Sequence, residues 1–152
     1  MAVVSGMKIF FLGVILLVLI LPVWGRSAEL TVAVCGLRSE GGRLCVALFD
    51  SAKGFPSDAS QAIVSQSLDL ATIPRNQPVT LVFKNLAEKR YAISVFHDED
   101  FDGKLKTNWL GIPKEGVGVS NNARGRLGPP KYEAATFDLK ALLRISVTVS
   151  YW

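Results

Sequence analysis

The chain has 152 residues, of which 49% are hydrophobic and 20% charged, with a mean hydropathy of +0.31 and a formal net charge of +4. This length suits one domain, and the apolar content excludes a disordered chain. Much of the positive hydropathy sits in residues 9–21, an uncharged run, so the remainder has an ordinary soluble composition and a multi-span membrane protein is excluded.

Lys8 precedes that run, Pro22 breaks it, and Val23 and Gly25 stand at the −3 and −1 positions of a signal-peptidase site. Residues 1–25 therefore read as a signal peptide cleaved after Gly25, with residues 26–152 as a single exported domain in the periplasm or outside the cell. The apolar run falls short of the roughly 20 residues needed to span a bilayer. Removing residues 1–25 takes away Lys8 and no acid, leaving a net charge of +3. The basic residues are scattered, with no run or helix face suited to phosphates. The expected partner is an unknown envelope or extracellular ligand, not nucleic acid, and not membrane once the signal is gone.

Residues 30–37 and 44–49 are apolar strand candidates separated by Arg38-Ser39-Glu40-Gly41-Gly42-Arg43, which reads as a hairpin loop. In that register Val34 faces Val46 and Val32 faces Leu48, while Cys35 falls opposite Cys45. These are the only two cysteines, and an oxidising compartment makes a Cys35–Cys45 disulfide the expected state. With one distant His, a zinc site would be short of ligands.

Further strands are expected at residues 62–70, 79–83, 90–97 and 143–151, with a short one near 134–137. No long helical periodicity is present, and six or seven short strands suit an all-β, immunoglobulin-like or transthyretin-like β-sandwich with one long ordered loop. An outer-membrane barrel, which needs at least eight strands, is the weaker reading. The connection from Val82 to Tyr91, leading tightly into a strand that opens on a tyrosine, fits the sandwich.

The loop is residues 97–133, holding six of the thirteen glycines and three of the seven prolines. Trp109, Leu110, Ile112, Leu127 and Tyr132 within it argue for packing and order. It opens with Asp98-x-Asp100-x-Asp102-Gly103-x-Leu105, the first eight positions of a calcium loop, with hard oxygen ligands that favour calcium. Trp109 stands where the closing bidentate Glu belongs, so Glu115, Asn108 or water would complete the shell. Without an ion, Lys104, Lys106 and Lys114 are the nearby compensators.

His97 is the only histidine, on a strand whose Tyr91, Ile93 and Val95 share its face. It is a catalytic candidate with Glu115 or Asp98, with Ser120 as a conceivable nucleophile, although a buried or capping role is the simpler expectation. Trp109, Ser120, Asn121 and Asn122 are ligand-binding candidates. The Gly116-Val117-Gly118-Val119 run could line a polar pocket, but loop closure is its first explanation.

The order Tyr91-Ala92, His97-Asp98, Asp102-Gly103-Lys104, Gly111-Ile112-Pro113-Lys114-Glu115-Gly116, Ser120-Asn121-Asn122, Gly128-Pro129-Pro130 and Ala134 through Phe137 resembles the bacterial exported family known as domain of unknown function 2141. The likeness covers residues 30–151, more firmly in the second half. Lys106 departs from it, standing where an Asp is common, and Val117-Gly118-Val119 lies where aromatics are common. The resemblance implies export and a β-sandwich, and it carries no activity.

The reading that follows is a binding or structural module of the cell envelope with a calcium-stabilised loop. The competing one is a small periplasmic hydrolase using His97 with Asp98 or Glu115, in a cleft covered by Trp109 and the Ser120-Asn121-Asn122 segment. A carrier for a small apolar ligand is a third.

Overall fold

The computed structural model describes residues 27–73 and 78–152. The signal peptide assigned to residues 1–25 lies outside the described residues. Among the described residues eight strands follow in chain order: β1 (Ser27–Cys35), β2 (Arg43–Phe49), β3 (Val64–Asp69), β4 (Val79–Ala87), β5 (Arg90–Asp98), β6 (Gly116–Val119), β7 (Phe137–Asp138) and β8 (Leu142–Thr148). Between β6 and β7 lie a 3-10 turn, Ser120–Asn122, and a single-turn helix, α1 (Tyr132–Ala135). Period-two alternation explains the long strands: in β1, Ala28, Leu30, Val32 and Val34 are buried and the residues between them are not.

One sheet has the order β4-β1-β8, with β1 antiparallel to β4 and parallel to β8. The other has the order β3-β2-β5-β6, all antiparallel, and β7 pairs with the start of β5. The core is the space between them. Leu30, Val32, Leu81, Phe83 and Val147 from the first sheet belong to one buried cluster with Leu44, Val46, Leu48, Tyr91, Ile93 and Val95 from the second. The fold is an all-β sandwich. At the β4–β5 connection the Tyr91 hydroxyl donates to the Ala87 carbonyl at 3.0 Å, which fixes the corner.

The expected hairpin between the first two strands is overturned. β1 and β2 lie in different sheets, so Val34 pairs with Val79 and Val147, and Val46 with Gln66 and Val95. Residues 36–42 carry the chain across the sandwich. Gly36 and Gly42 both take φ of +80°, and a Cβ on Gly42 would sit 2.4 Å from the Asp98 carbonyl oxygen. These glycines serve a sheet crossing, not a two-strand turn.

The Cys35–Cys45 disulfide falls with the hairpin. Cys35 lies on the outward side of the first sheet, 3.6 Å from the Ser146 hydroxyl, and Cys45 on the outward side of the second, 3.8 Å from that of Ser67. Both are free thiols. Facing layers stand about 10 Å apart, beyond the Cα separation of about 4.4–6.8 Å that a disulfide spans.

The long loop is ordered and contains β6. On the outer face of the second sheet, Ala92, Val119 and Ala135 are buried under Phe55 and Tyr132, whose rings meet edge to face at 5.7 Å. A Cβ on Gly116 would lie 2.4 Å from the Tyr151 ring. The Gly-x-Gly run thus lets β6 lie against the residues after β8, and Val117 and Ser150 exchange backbone hydrogen bonds of 3.0 and 2.9 Å. This contact closes one edge of the sandwich and delivers Tyr151 to the end of β5.

Candidate functional site

β5 ends with two consecutive residues that are wholly buried, His97 and Asp98. Alternation directs His97 to the same side as Tyr91, Ile93 and Val95, as its sequence position implies. Its Nε2 lies 2.7 Å from the Gly41 carbonyl, which can only accept, so Nε2 carries a proton. Its Nδ1 lies 2.7 Å from the Tyr151 hydroxyl. That hydroxyl also accepts the Arg38 backbone N–H at 3.2 Å. Both ring nitrogens are thereby committed to the protein, whereas a general base needs one within reach of a substrate. Neither bonds to Asp98 or Glu115.

Asp98 turns to β2. Register sets Arg43 directly opposite it, and Asp98 Oδ2 accepts from Arg43 Nε at 2.9 Å, from its terminal Nη2 at 2.7 Å, and from the Gly103 N–H at 3.0 Å. Arg43 continues to the Phe101 carbonyl at 3.1 Å. Asp98 Oδ1 is buried without a hydrogen-bond partner. Carboxylate oxygens of Asp98, Asp100 and Asp102 come within 4.8 Å of one another, as the calcium-loop spacing requires. Asp100 and Asp102 are solvent-exposed, and the Lys106 ammonium pairs with Asp100 and stands 3.5 Å from Asp102. Of the three lysines named as compensators, Lys106 fills the role.

Glu115 is 4% exposed, and both its oxygens go to loop backbone: Oε1 accepts from the Glu99 N–H at 3.1 Å and Oε2 from the Lys106 N–H at 2.9 Å. Glu99 in turn receives the Arg38 guanidinium, whose Nε lies 3.0 Å from Oε1 while a second nitrogen contacts Oε2. Arg38 hydrogen bonding and charge hold the Glu99 carboxyl below its ordinary range. Arg38 also stacks 4.4 Å from the centroid of the Tyr151 ring.

The remaining candidates do not converge on this cluster. Ser120 is fully buried, accepting the Ile93 N–H at 2.9 Å and donating to the Ala135 carbonyl at 2.6 Å, so it is a strut and not an accessible nucleophile. Asn121 Nδ2 donates to the Ala134 and Thr136 carbonyls, and Asn122 Oδ1 accepts the Thr148 N–H. The three join β6 to α1 and β8.

Trp109 covers no cleft. It is 90% exposed, Leu110 59% and Leu127 fully so, which corrects the expectation that these side chains pack. Tyr132 does pack, against Phe55. A shallow depression elsewhere, lined by Glu29, Lys84, Asn85, Ala141 and Leu142, contains none of the candidates.

Arg38, Arg43 and Tyr151 complete the cluster, and sequence reasoning passed over all three. They lie at least 54 positions from their partners among residues 97–99, so no local motif marks them. No curated protein and no solved structure matches the chain. A family model matches residues 32–145, which span β5, the acidic turn and the loop through β7. The chain belongs to the family described as an uncharacterized protein conserved in bacteria (DUF2141).

Proposed function

We propose that the protein is an exported binding module of the cell envelope, with a recognition rather than a catalytic role, whose contact surface is the loop between Asp98 and Glu115. The observation that carries this is the use made of its buried acids. Glu115 gives both oxygens to the Glu99 and Lys106 amides and Asp98 gives Oδ2 to the Gly103 amide as well as to Arg43, so both acids hold loop backbone in place. The apolar residues of that loop are left exposed on a fixed frame. Exposed aromatic and aliphatic side chains on a rigid support are the anatomy of a contact surface.

A divalent cation is the second element of the proposal. Asp98, Asp100 and Asp102 would hold it, and their all-oxygen donor set favours calcium. The buried and unpartnered Asp98 Oδ1 supports this reading, since such an atom is costly without a donor or a cation. In this role the ion would take over from Lys106 in neutralising the turn.

The test of the contact surface is photo-crosslinking in exporting cells, with a benzophenone side chain placed at Trp109 or, on the outer face of β4, at Val82. Crosslinks to envelope components should form from position 109. Crosslinks from position 82 alone would move the surface to the other sheet and end the proposal. The cation is tested by thermal unfolding in EDTA and then in calcium or magnesium. A calcium-selective rise on the order of 10 °C at about 100 times the dissociation constant is expected, and no shift would remove the ion.

A further inference from the structure

We infer that the hairpin of residues 106–114 is an interfacial anchor that docks the protein on an anionic lipid bilayer. This rests on the loop being the contact surface and names what it contacts. The hairpin is built by its own backbone: the Lys114 N–H donates to the Lys106 carbonyl, the Asn108 N–H to the Ile112 carbonyl, both at 2.8 Å, and Thr107 bridges to Pro113. At the tip the Gly111 N–H donates to the Asn108 carbonyl at 2.9 Å. Asn108 Oδ1 accepts from both the Leu110 and the Ile112 N–H, at 2.9 and 3.0 Å. Most of the tip amides are therefore satisfied from within, the condition for backbone to enter an apolar medium.

The side chains match that environment. Trp109 is 90% exposed, Leu110 59% and Ile112 39%, all on one tight turn. Tryptophan with aliphatic neighbours is the composition that settles at the headgroup level, where the indole meets hydrocarbon with its face and water with its N–H.

Charge supplies the choice of lipid. Residues 104–114 contain Lys104, Lys106 and Lys114 and no acid. Of the loop's acids, Asp98 and Glu115 are buried, Glu99 is paired with Arg38, and the exposed Asp100 and Asp102 share Lys106. Neither the Lys104 nor the Lys114 ammonium pairs with a carboxylate among the described residues. An apolar tip with a lysine collar is complementary to a surface of anionic headgroups over hydrocarbon. Three side chains on a turn fall well short of the roughly 800 Å² a partner of a standard protein interface, whereas a bilayer demands no shaped counterpart. The inference departs from the composition-based expectation that the exported chain avoids membrane.

The experiment is vesicle co-sedimentation of the chain from Arg26 onward, which contains every strand of both sheets and lacks the apolar run of residues 9–21. Phosphatidylcholine vesicles with and without phosphatidylglycerol are the probe. Binding is expected only with the anionic lipid, weakened by salt, and reduced about tenfold in Trp109→Ala/Leu110→Ala, where the apolar contact is lost. Lys104→Gln/Lys114→Gln should weaken it too. Leu142→Ala, at a leucine on β8 that is 77% exposed, should leave it unchanged. In a Trp152→Phe background, Trp109 emission should shift to the blue on binding. No binding to anionic vesicles, or equal binding by the tip variant, would overturn the inference. If crosslinks from position 109 reach only protein, or if a self-association abolished by Trp109→Ala appears instead, the lipid assignment falls and the contact surface stands. If position 109 crosslinks to nothing as well, both fall.

Discussion

The His97 imidazole and the Tyr151 hydroxyl meet at 2.7 Å and tie the end of β5 to the residues that follow β8. Since β5 and β8 belong to different sheets, this bond helps to lock the two layers together. The backbone of Arg38 and the carbonyl of Gly41, both in the crossing between β1 and β2, join the same chain of bonds.

His97→Ala should therefore act on stability. It removes the partner of the Gly41 carbonyl and the Tyr151 hydroxyl and opens a cavity where the wholly buried ring sat, a loss of about 2–4 kcal/mol. Tyr151→Phe should cost about 1–2 kcal/mol, and the double variant should fall short of the sum by about 1 kcal/mol, since one bond is counted in both. Denaturant unfolding of the four proteins measures this, and strict additivity would separate the two residues.

Acid should loosen the Arg38–Glu99 contact. Arg38 depresses the Glu99 carboxyl in the folded state, so this pair stabilises the fold above the unfolded carboxyl pKa of about 4.3 and stops doing so as pH falls through the lower folded value. The difference in unfolding midpoint between the native chain and Glu99→Gln should be flat from about pH 5 to 7 and shrink below about pH 4.3. With the guanidinium half exposed, added salt should reduce the difference as well.

The inward facing of His97 was legible because Tyr91, Ile93 and Val95 alternate with it, and period-two burial needs no knowledge of neighbours. The role of Asp98 was not. Its partner Arg43 is 55 residues away, and their contact depends on β2 and β5 sharing a sheet. The same limit misled the reading of β1 and β2, because a hairpin and a sheet crossing bury the same alternate residues, Val32, Val34, Val46 and Leu48. β6 was hidden by its two glycines, which are poor strand formers and are present because Tyr151 and Thr148 leave no room for a Cβ. The apolar residues around Trp109 imply packing, yet backbone hydrogen bonds and the Asn108 side chain order that turn.

The two thiols should be separately reactive. Cys35 is exposed, while burial raises the Cys45 thiol above its ordinary pKa and lowers its thiolate fraction. Native protein treated with iodoacetamide should label Cys35 faster than Cys45, and both should label once it is unfolded without reductant. Recovery of an unlabelled, cross-linked pair would show that the sheets exchange in solution.

Glu115→Gln should loosen the loop locally. The carboxylate accepts two amides, and a carboxamide retains one acceptor oxygen and points a donor at the other N–H. Amide exchange at Glu99 or Lys106 should accelerate, with about 1–3 kcal/mol lost from stability. The amides of β2 should exchange as before, because the core strands do not depend on this acid.

Lys106→Gln separates the two ways of neutralising the acidic turn. The lysine is about half exposed and its partners are partly so, which limits each pair to about 1 kcal/mol or less after solvent screening. In EDTA the variant should thus unfold only slightly earlier than the native chain. If calcium uses Asp98, Asp100 and Asp102, removing the competing ammonium strengthens its binding, and the calcium-induced rise in the unfolding midpoint should be larger in the variant. An unchanged rise would place the ion away from Asp100 and Asp102. No rise in either protein would leave Lys106 as the counter-ion of the turn, with the Asp98 oxygen buried and unpartnered beside it.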